Sequence, residues 1–218
     1  MDLDTPEARG KSGDDRFMER VLTSNEQKSV RGSAHPNRLL WAFWAAKETA
    51  YKAVNKLHPD VSSAPGRYEV QLEGEGESAP GVHAISGVVY TPRGPVPVRV
   101  MFAPDYVHCI GGYSRSGNQD GIECGMEWGV GAIDTYPESD CNKSLSERES
   151  YAARFLAASK IAGILHCHPQ DIVITRQNHQ SKSGLPKVYV KGKPAGLDIS
   201  LSHDGRFAAF AVAGLRIL

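Results

Sequence analysis

The stretch from Asn37 to Leu57 constrains the chain more than any other. No Gly or Pro interrupts it, and Leu39, Phe43, Ala46, Ala50, Val54 and Leu57 recur at three- or four-residue spacing. That spacing predicts one long helix with a single apolar stripe against a core. Asn37 is placed to cap its start, and His58-Pro59 to stop it. Trp44, Glu48 and Lys52 stand four apart and line up beside the stripe. A carboxylate and an ammonium are therefore expected one turn apart at the edge of the core. Taken alone, Glu48 and Lys52 form a surface pair of about 0.2–0.5 kcal/mol. Lys47 points about 100° away from Glu48.

A length of 218 residues allows one large domain or two small ones. Lys plus Arg and Asp plus Glu both number 25, so no overall basic excess points to nucleic acid. No apolar run approaches the roughly 18 residues of a membrane span. The acidic start Met1-Asp2-Leu3-Asp4 is not a signal peptide. Cys109, Cys124, Cys141 and Cys167 show no C-x-x-C spacing, as expected of a reduced cytoplasmic protein.

Along the chain, Arg16–Leu22 reads as a short helix with Phe17 and Val21 inward. Thr23–Glu26 has capping-box spacing for another. After the long helix come strand-like runs at 67–72, 87–90, 96–102 and 106–111, separated by Gly and Pro turns. Residues 112–143 read as a connection with one strand near Trp128–Ile133. A second long helix is predicted over Ser144–Leu165, with Ser146 and Glu149 as its capping box. Strands at 171–176, 187–190, 198–201 and 207–212 follow, with a polar loop over 178–187.

The two long helices resemble each other. Phe43-Trp-Ala-Ala-Lys-Glu-Thr-Ala50 matches Phe155-Leu-Ala-Ala-Ser-Lys-Ile-Ala162 without gaps, and a His-Pro pair follows each. Chance between Ala-rich helices is the simple explanation, and duplication the other. The expected fold is α+β: two similar halves related by a pseudo-two-fold, each a long helix on a small antiparallel sheet. The first half spans 1–115, the connection 116–143 and the second half 144–218.

Ile199-Ser200-Leu201-Ser202-His203-Asp204-Gly205-Arg206-Phe207 forms a second constellation. Alternation puts Ser200 and Ser202 on one strand face, with a tight turn at His203-Asp204-Gly205. Hydroxyl, imidazole, backbone N–H groups and Arg206 make a reasonable phosphate-binding set. Asp-Gly is equally a good sequence for an ordinary hairpin turn.

Together these segments resemble the 4′-phosphopantetheinyl transferase superfamily. Trp44-Ala-Ala-Lys47-Glu48-Thr-Ala-Tyr-Lys52 is similar to its W-x-x-K-E-A-x-x-K signature, and Ser200-Leu-Ser202-His203-Asp-Gly205 to its S-x-S-H-x-G turn. Arg16-Phe17-Met-Glu-Arg20-Val-Leu-Thr23 resembles its R-F-x-x-R-x-(F/L)-T segment, and Gly184-Leu-Pro186 its G-(K/R)-P segment. The K-E half comes first, as in the small holo-acyl-carrier-protein synthases. The resemblance thus implies a two-half form in permuted order, with one active site between the halves and a monomer in solution.

The implied reaction moves 4′-phosphopantetheine from coenzyme A to a serine of an apo acyl or peptidyl carrier protein and releases 3′,5′-ADP. Mg²⁺ or Mn²⁺ is the implied metal. Glu48 is the expected metal ligand and base or water-orienter. Lys52 would neutralise phosphate charge, and Lys47 would face substrate. His203 and Ser202 would hold CoA phosphates, with Arg206 and Lys187 toward the 3′-phosphate or adenine side. Asp2 and Asp4 are expected to complete the metal site, with Asp134 a third candidate. The family's acidic pair opens with a Gly-x-Asp, for which Met1-Asp2 leaves no room, so a natural start upstream of Met1 is also expected, the alternative being that Asp2 itself takes the metal role. Three alternatives stand beside this reading: a degenerate protein that binds CoA or a carrier without transfer, an unrelated metal-dependent phosphoesterase, and a non-enzymatic scaffold.

Overall fold

The computed structural model describes residues 1–73, 78–79, 81–113, 125–135, 144–176 and 184–215. Among them it is a mixed α/β protein with four α-helices and antiparallel sheets. It divides into two compact units, Met1–Cys124 and Gly125–Leu218.

In the first unit, helix α1 (Asp15–Val21) starts at Asp14, whose carboxylate accepts the Phe17 N–H at 3.0 Å. Helix α2 (Ser24–Gly32) opens with the predicted capping box: Glu26 accepts the Thr23 N–H at 2.7 Å, and Thr23 accepts the Glu26 N–H. Helix α3 runs Pro36–Asn55. Its N-cap is His35, not the expected Asn37, because Pro36 at the first position carries the helical φ and needs no partner for a missing N–H. Leu39 is only partly buried, and Leu57 lies past the helix, 40% exposed. The buried face is wider than the predicted stripe and includes Leu40, Trp41, Ala42, Phe43, Ala46, Lys47, Ala50 and Val54. A helix flanked by α2 on one side and strands on another needs such a broad face.

Strands β1 (Glu69–Glu73), β2 (Ser78–Ala79), β3 (Val82–Thr91), β4 (Gly94–Phe102) and β5 (Val107–Gly111) form one antiparallel sheet. Its order is β1-β3-β4-β5, with β2 on β3. Val89, Val96, Val98, Val100 and Val107 supply the β-branched inner face. Helix α3 rests on β5 at Thr49, whose hydroxyl donates to the Cys109 carbonyl at 3.2 Å. Gly111 permits this approach, since a Cβ there would meet the Pro97 carbonyl at 2.9 Å and the Thr49 methyl at 3.1 Å. The chain start extends the far side of β5. Asp2 bridges to Tyr106, and Met1 and Val107 exchange hydrogen bonds at 2.7 and 3.0 Å.

In the second unit, β6 (Met126–Ala132) covers the strand predicted near Trp128–Ile133 and pairs with β11 (Phe207–Ala213). Part of the expected connection is thus sheet of this unit. Helix α4 (Leu145–Ile164) is capped by Ser144 with Glu147, not by Ser146 with Glu149. Strands β7 (Ile172–Arg176), β8 (Pro186–Val190) and β9 (Lys193–Pro194) form one sheet, and β10 (Asp198–Asp204), β11 and β6 another. Ala157, Ile161, Ala162, Ile174, Val188, Ile199 and Phe210 fill the core. Most of the predicted 178–187 loop lies outside the described residues.

Candidate functional site

Helix periodicity places Glu48 and Lys52 together on α3. Lys52 Nζ lies 3.3 Å from Glu48 Oε1, and both side chains are about half exposed, 41% and 43%. The pair is open to a ligand, and Thr49 beside it is anchored to β5.

Lys47 is turned the other way. It is 3% exposed, as is Glu26, and its Nζ lies 2.6 Å from Glu26 Oε2. It also donates to the Val21 and Pro65 carbonyls at 2.9 and 3.2 Å, which uses all three ammonium donors. Glu26 Oε1 accepts the Val70 N–H at 2.8 Å. Burial pushes the Lys47 ammonium below its ordinary pKa, and Glu26 opposes the shift. The substrate-facing role expected of Lys47 therefore disagrees with its position. It ties the end of α1 and the start of α2 to α3, the segment before β1 and, through Glu26, β1 itself.

Asp2 is fully buried, and its Oδ1 accepts the Asp4 N–H at 2.9 Å. Asp4 lies nearer solvent, 3.4 Å from Arg9. Asp134, 88% exposed, stands 4.0 Å from Arg148 in the second unit. Among the described residues no group of three or more His, Cys, Asp or Glu stands together as a metal cage would need. A magnesium-type cation needs no such cage: it keeps waters and shares phosphate oxygens with one or two carboxylates. The half-exposed carboxylate of Glu48 fits that mode. Asp2 could contribute only from inside the fold.

At the β10–β11 hairpin, Asp204 pairs with Phe207, so the loop is Gly205-Arg206 and His203 is still strand. Gly205 has φ of +55°, which suits the first position of a two-residue hairpin loop. The strand alternates, so His203 shares a face with Ile199 and Leu201, and Ser202 takes the opposite face with Ser200. His203 Nδ1 lies 3.1 Å from Glu149 Oε2 on α4. Arg206 is exposed, its guanidinium 5.3 Å from the Phe207 ring centre. Lys187 is exposed on β8. Sequence reasoning missed Glu149 as a partner of His203, and Glu26 as a partner of Lys47. Only the capping-box signal touched either residue, and it assigned Glu149 to a different task.

The segment from the capped α1 and α2 through the Glu48–Lys52 turn to β1 is one continuous piece of fold. Residues 1–85 match the family model of the 4′-phosphopantetheinyl transferase superfamily. The match ends inside β3 and leaves the second unit outside it. No curated protein and no solved structure gives a significant match to the chain. The superfamily comprises transferases of phosphopantetheine, which take it from CoA, act on carrier proteins and generally use a divalent metal. No helix among the described residues is long and apolar enough to cross a membrane.

Proposed function

We propose that this protein transfers 4′-phosphopantetheine from coenzyme A to a serine of an apo acyl or peptidyl carrier protein, releasing 3′,5′-ADP. The observation that carries the reading is the Glu48–Lys52 pair. It is accessible, one turn apart, and lies within the segment that matches the superfamily. The holo-acyl-carrier-protein synthase-like subtype, a two-half form related by a pseudo-two-fold with the K-E half first, a monomeric state and a cytoplasmic location belong to the same proposal.

In this mechanism Glu48 would hold Mg²⁺ or Mn²⁺, with Asp2 and Asp4 the further acidic candidates. The chemistry a bound cation supplies is charge neutralisation at the pyrophosphate. Lys52 would place its ammonium against phosphate oxygens as charge leaves with 3′,5′-ADP. Lys47 would position Glu48 from beneath. His203 and Ser202 would hold CoA phosphates, with Arg206 and Lys187 toward the nucleotide end. Binding of CoA or a carrier without transfer is a second reading, favoured by the burial of Asp2 and the engagement of its Oδ1.

The test is incubation of the full chain with apo acyl and peptidyl carrier proteins, CoA and Mg²⁺, read by intact-protein mass spectrometry. Covalent phosphopantetheine on the carrier is expected. Glu48→Gln should lower the rate by about a thousandfold or more with the fold retained. Unmodified carriers that nonetheless bind would favour the second reading. Normal turnover by Glu48→Gln would remove Glu48 from the site.

A further inference from the structure

We infer that Glu149 is a positioning residue for His203. It accepts the imidazole Nδ1–H and so leaves Nε2 as the nitrogen offered to a CoA phosphate. The inference rests on the reading that His203 meets CoA.

Two Ser-x-x-Glu pairs overlap at the start of α4, Ser144 with Glu147 and Ser146 with Glu149. The first closes the helix end, with Glu147 accepting the Ser144 N–H at 2.8 Å. Glu149 is not needed there. Its carboxylate turns to β10 and meets His203 Nδ1 at 3.1 Å. The exposures are unequal: Glu149 keeps 14% of its side-chain surface and His203 keeps 38%. A carboxylate so far withdrawn from water needs a donor, and the imidazole supplies it. The strand prepares the meeting. Ile199 and Leu201 pack inward on the core, and His203 is the next residue on that face, where the strand reaches the hairpin.

An imidazole without a fixed partner samples two tautomers and two ring orientations. One acceptor at Nδ1 selects among them, and the second nitrogen follows from that choice. With Nδ1–H on Glu149, the neutral ring has an open acceptor at Nε2, and the protonated ring has an Nε2–H donor there. That donor is the group a phosphate oxygen accepts from. Glu149 thus acts through His203 and touches no phosphate itself.

The experiment uses the full chain labelled with ¹⁵N-histidine. Long-range proton–nitrogen spectra read the tautomer of His203, and calorimetric titration reads CoA affinity. In the wild type the neutral ring is expected in the Nδ1–H form. Glu149→Ala should return it to a mainly Nε2–H form and weaken CoA binding about tenfold, by analogy with the loss of a carboxylate behind a metal-ligating histidine. Glu149→Gln, which keeps an acceptor oxygen, should retain the tautomer and most of the affinity. An Nε2–H ring in the wild type overturns the inference, even if Glu149→Ala does not fold. So does a tautomer unmoved by Glu149→Ala. Wild-type affinity in Glu149→Ala beside weakened binding in His203→Ala would break the link between orientation and affinity. Unchanged affinity in His203→Ala would instead overturn the CoA reading of His203 on which the inference stands.

Discussion

Helices α3 and α4 are each 20 residues long, and each packs on antiparallel strands of its own unit. Their buried faces differ in kind. The face of α4 is Ala152, Ala153, Ala157, Ile161 and Ala162. The face of α3 contains the aromatic rings of Trp41 and Phe43, and also the ammonium of Lys47. Asp2, Glu26 and Lys47 are the buried charged residues among those described, and all three lie in the first unit. A core of small and branched apolar groups holds a helix by area and tolerates some rotation of it. An ammonium with three fixed acceptors holds it at one angle. Lys47 and Glu48 are consecutive, about 100° apart on the helix. Fixing the first inward therefore sets the direction of the second.

The comparison can be broken most severely at Lys47. Lys47→Ala strands the Glu26 carboxylate inside the fold and is expected to cost about 3–5 kcal/mol. Urea unfolding would read this, and a loss below about 1 kcal/mol would make the network ornamental. In the second unit Ile161→Ala removes only apolar contact and is expected to cost about 2–4 kcal/mol. A larger loss there than at Lys47 would reverse the ranking of the two cores.

A buried imidazole offers a finer probe of the first unit. Burial pushes His108 down to about 3 from an ordinary 6.5. Its folded pKa lies below its unfolded one, so the unfolded chain takes up a proton that the folded chain refuses. Stability present above about pH 6.5 is therefore lost as pH falls toward 3. Between pH 6 and 5 this amounts to about 1 kcal/mol. His108→Leu should abolish that part of the slope, and an identical slope in both proteins would refute the assignment. The smallest effect is expected at Lys160. Its exposed pair with Glu127, 3.0 Å apart, should contribute under about 0.5 kcal/mol, so Lys160→Ala should shift the unfolding midpoint little.

The sequence match between the two helices is informative where it fails. It sets Lys47 and Glu48 against Ser159 and Lys160. It also sets buried Ala46 against half-buried Ala158, while buried Ala157 meets half-buried Ala45. A shift of one residue brings Ala46 onto Ala157 and Ala50 onto Ile161, so identity and burial are out of phase by one position. Neither register supplies a counterpart of the Glu48–Lys52 pair.

What could be read from the chain alone depended on local rules. The Thr23 capping box, the existence of α3 as one long helix and the Glu48–Lys52 turn follow from spacing within a few residues. The burial of Lys47 did not, because periodicity counts a lysine as polar, and its acceptors lie on three other segments. The capping box of α4 was ambiguous because two Ser-x-x-Glu patterns overlap, and only the fold assigns one to the helix end. The partnership of Glu149 with His203 required knowing which face of β10 meets α4. The separation of Ser202 from His203 was not legible: the sequence reads His203 as turn, and only the pairing of Asp204 with Phe207 carries the alternation through it.

The Glu26–Lys47 network also limits the paths by which this sequence can drift. Val21 and Pro65 offer it only carbonyl oxygens, and Thr23 and Val70 offer it only N–H groups. Exchanging the two charges would aim a carboxylate at carbonyls and an ammonium at N–H groups, so a compensating double substitution does not restore the fit. Each residue waits on the other, and neither can be the first to change. Descendants of this chain should therefore keep the pair in its present polarity long after the surface around it has turned over.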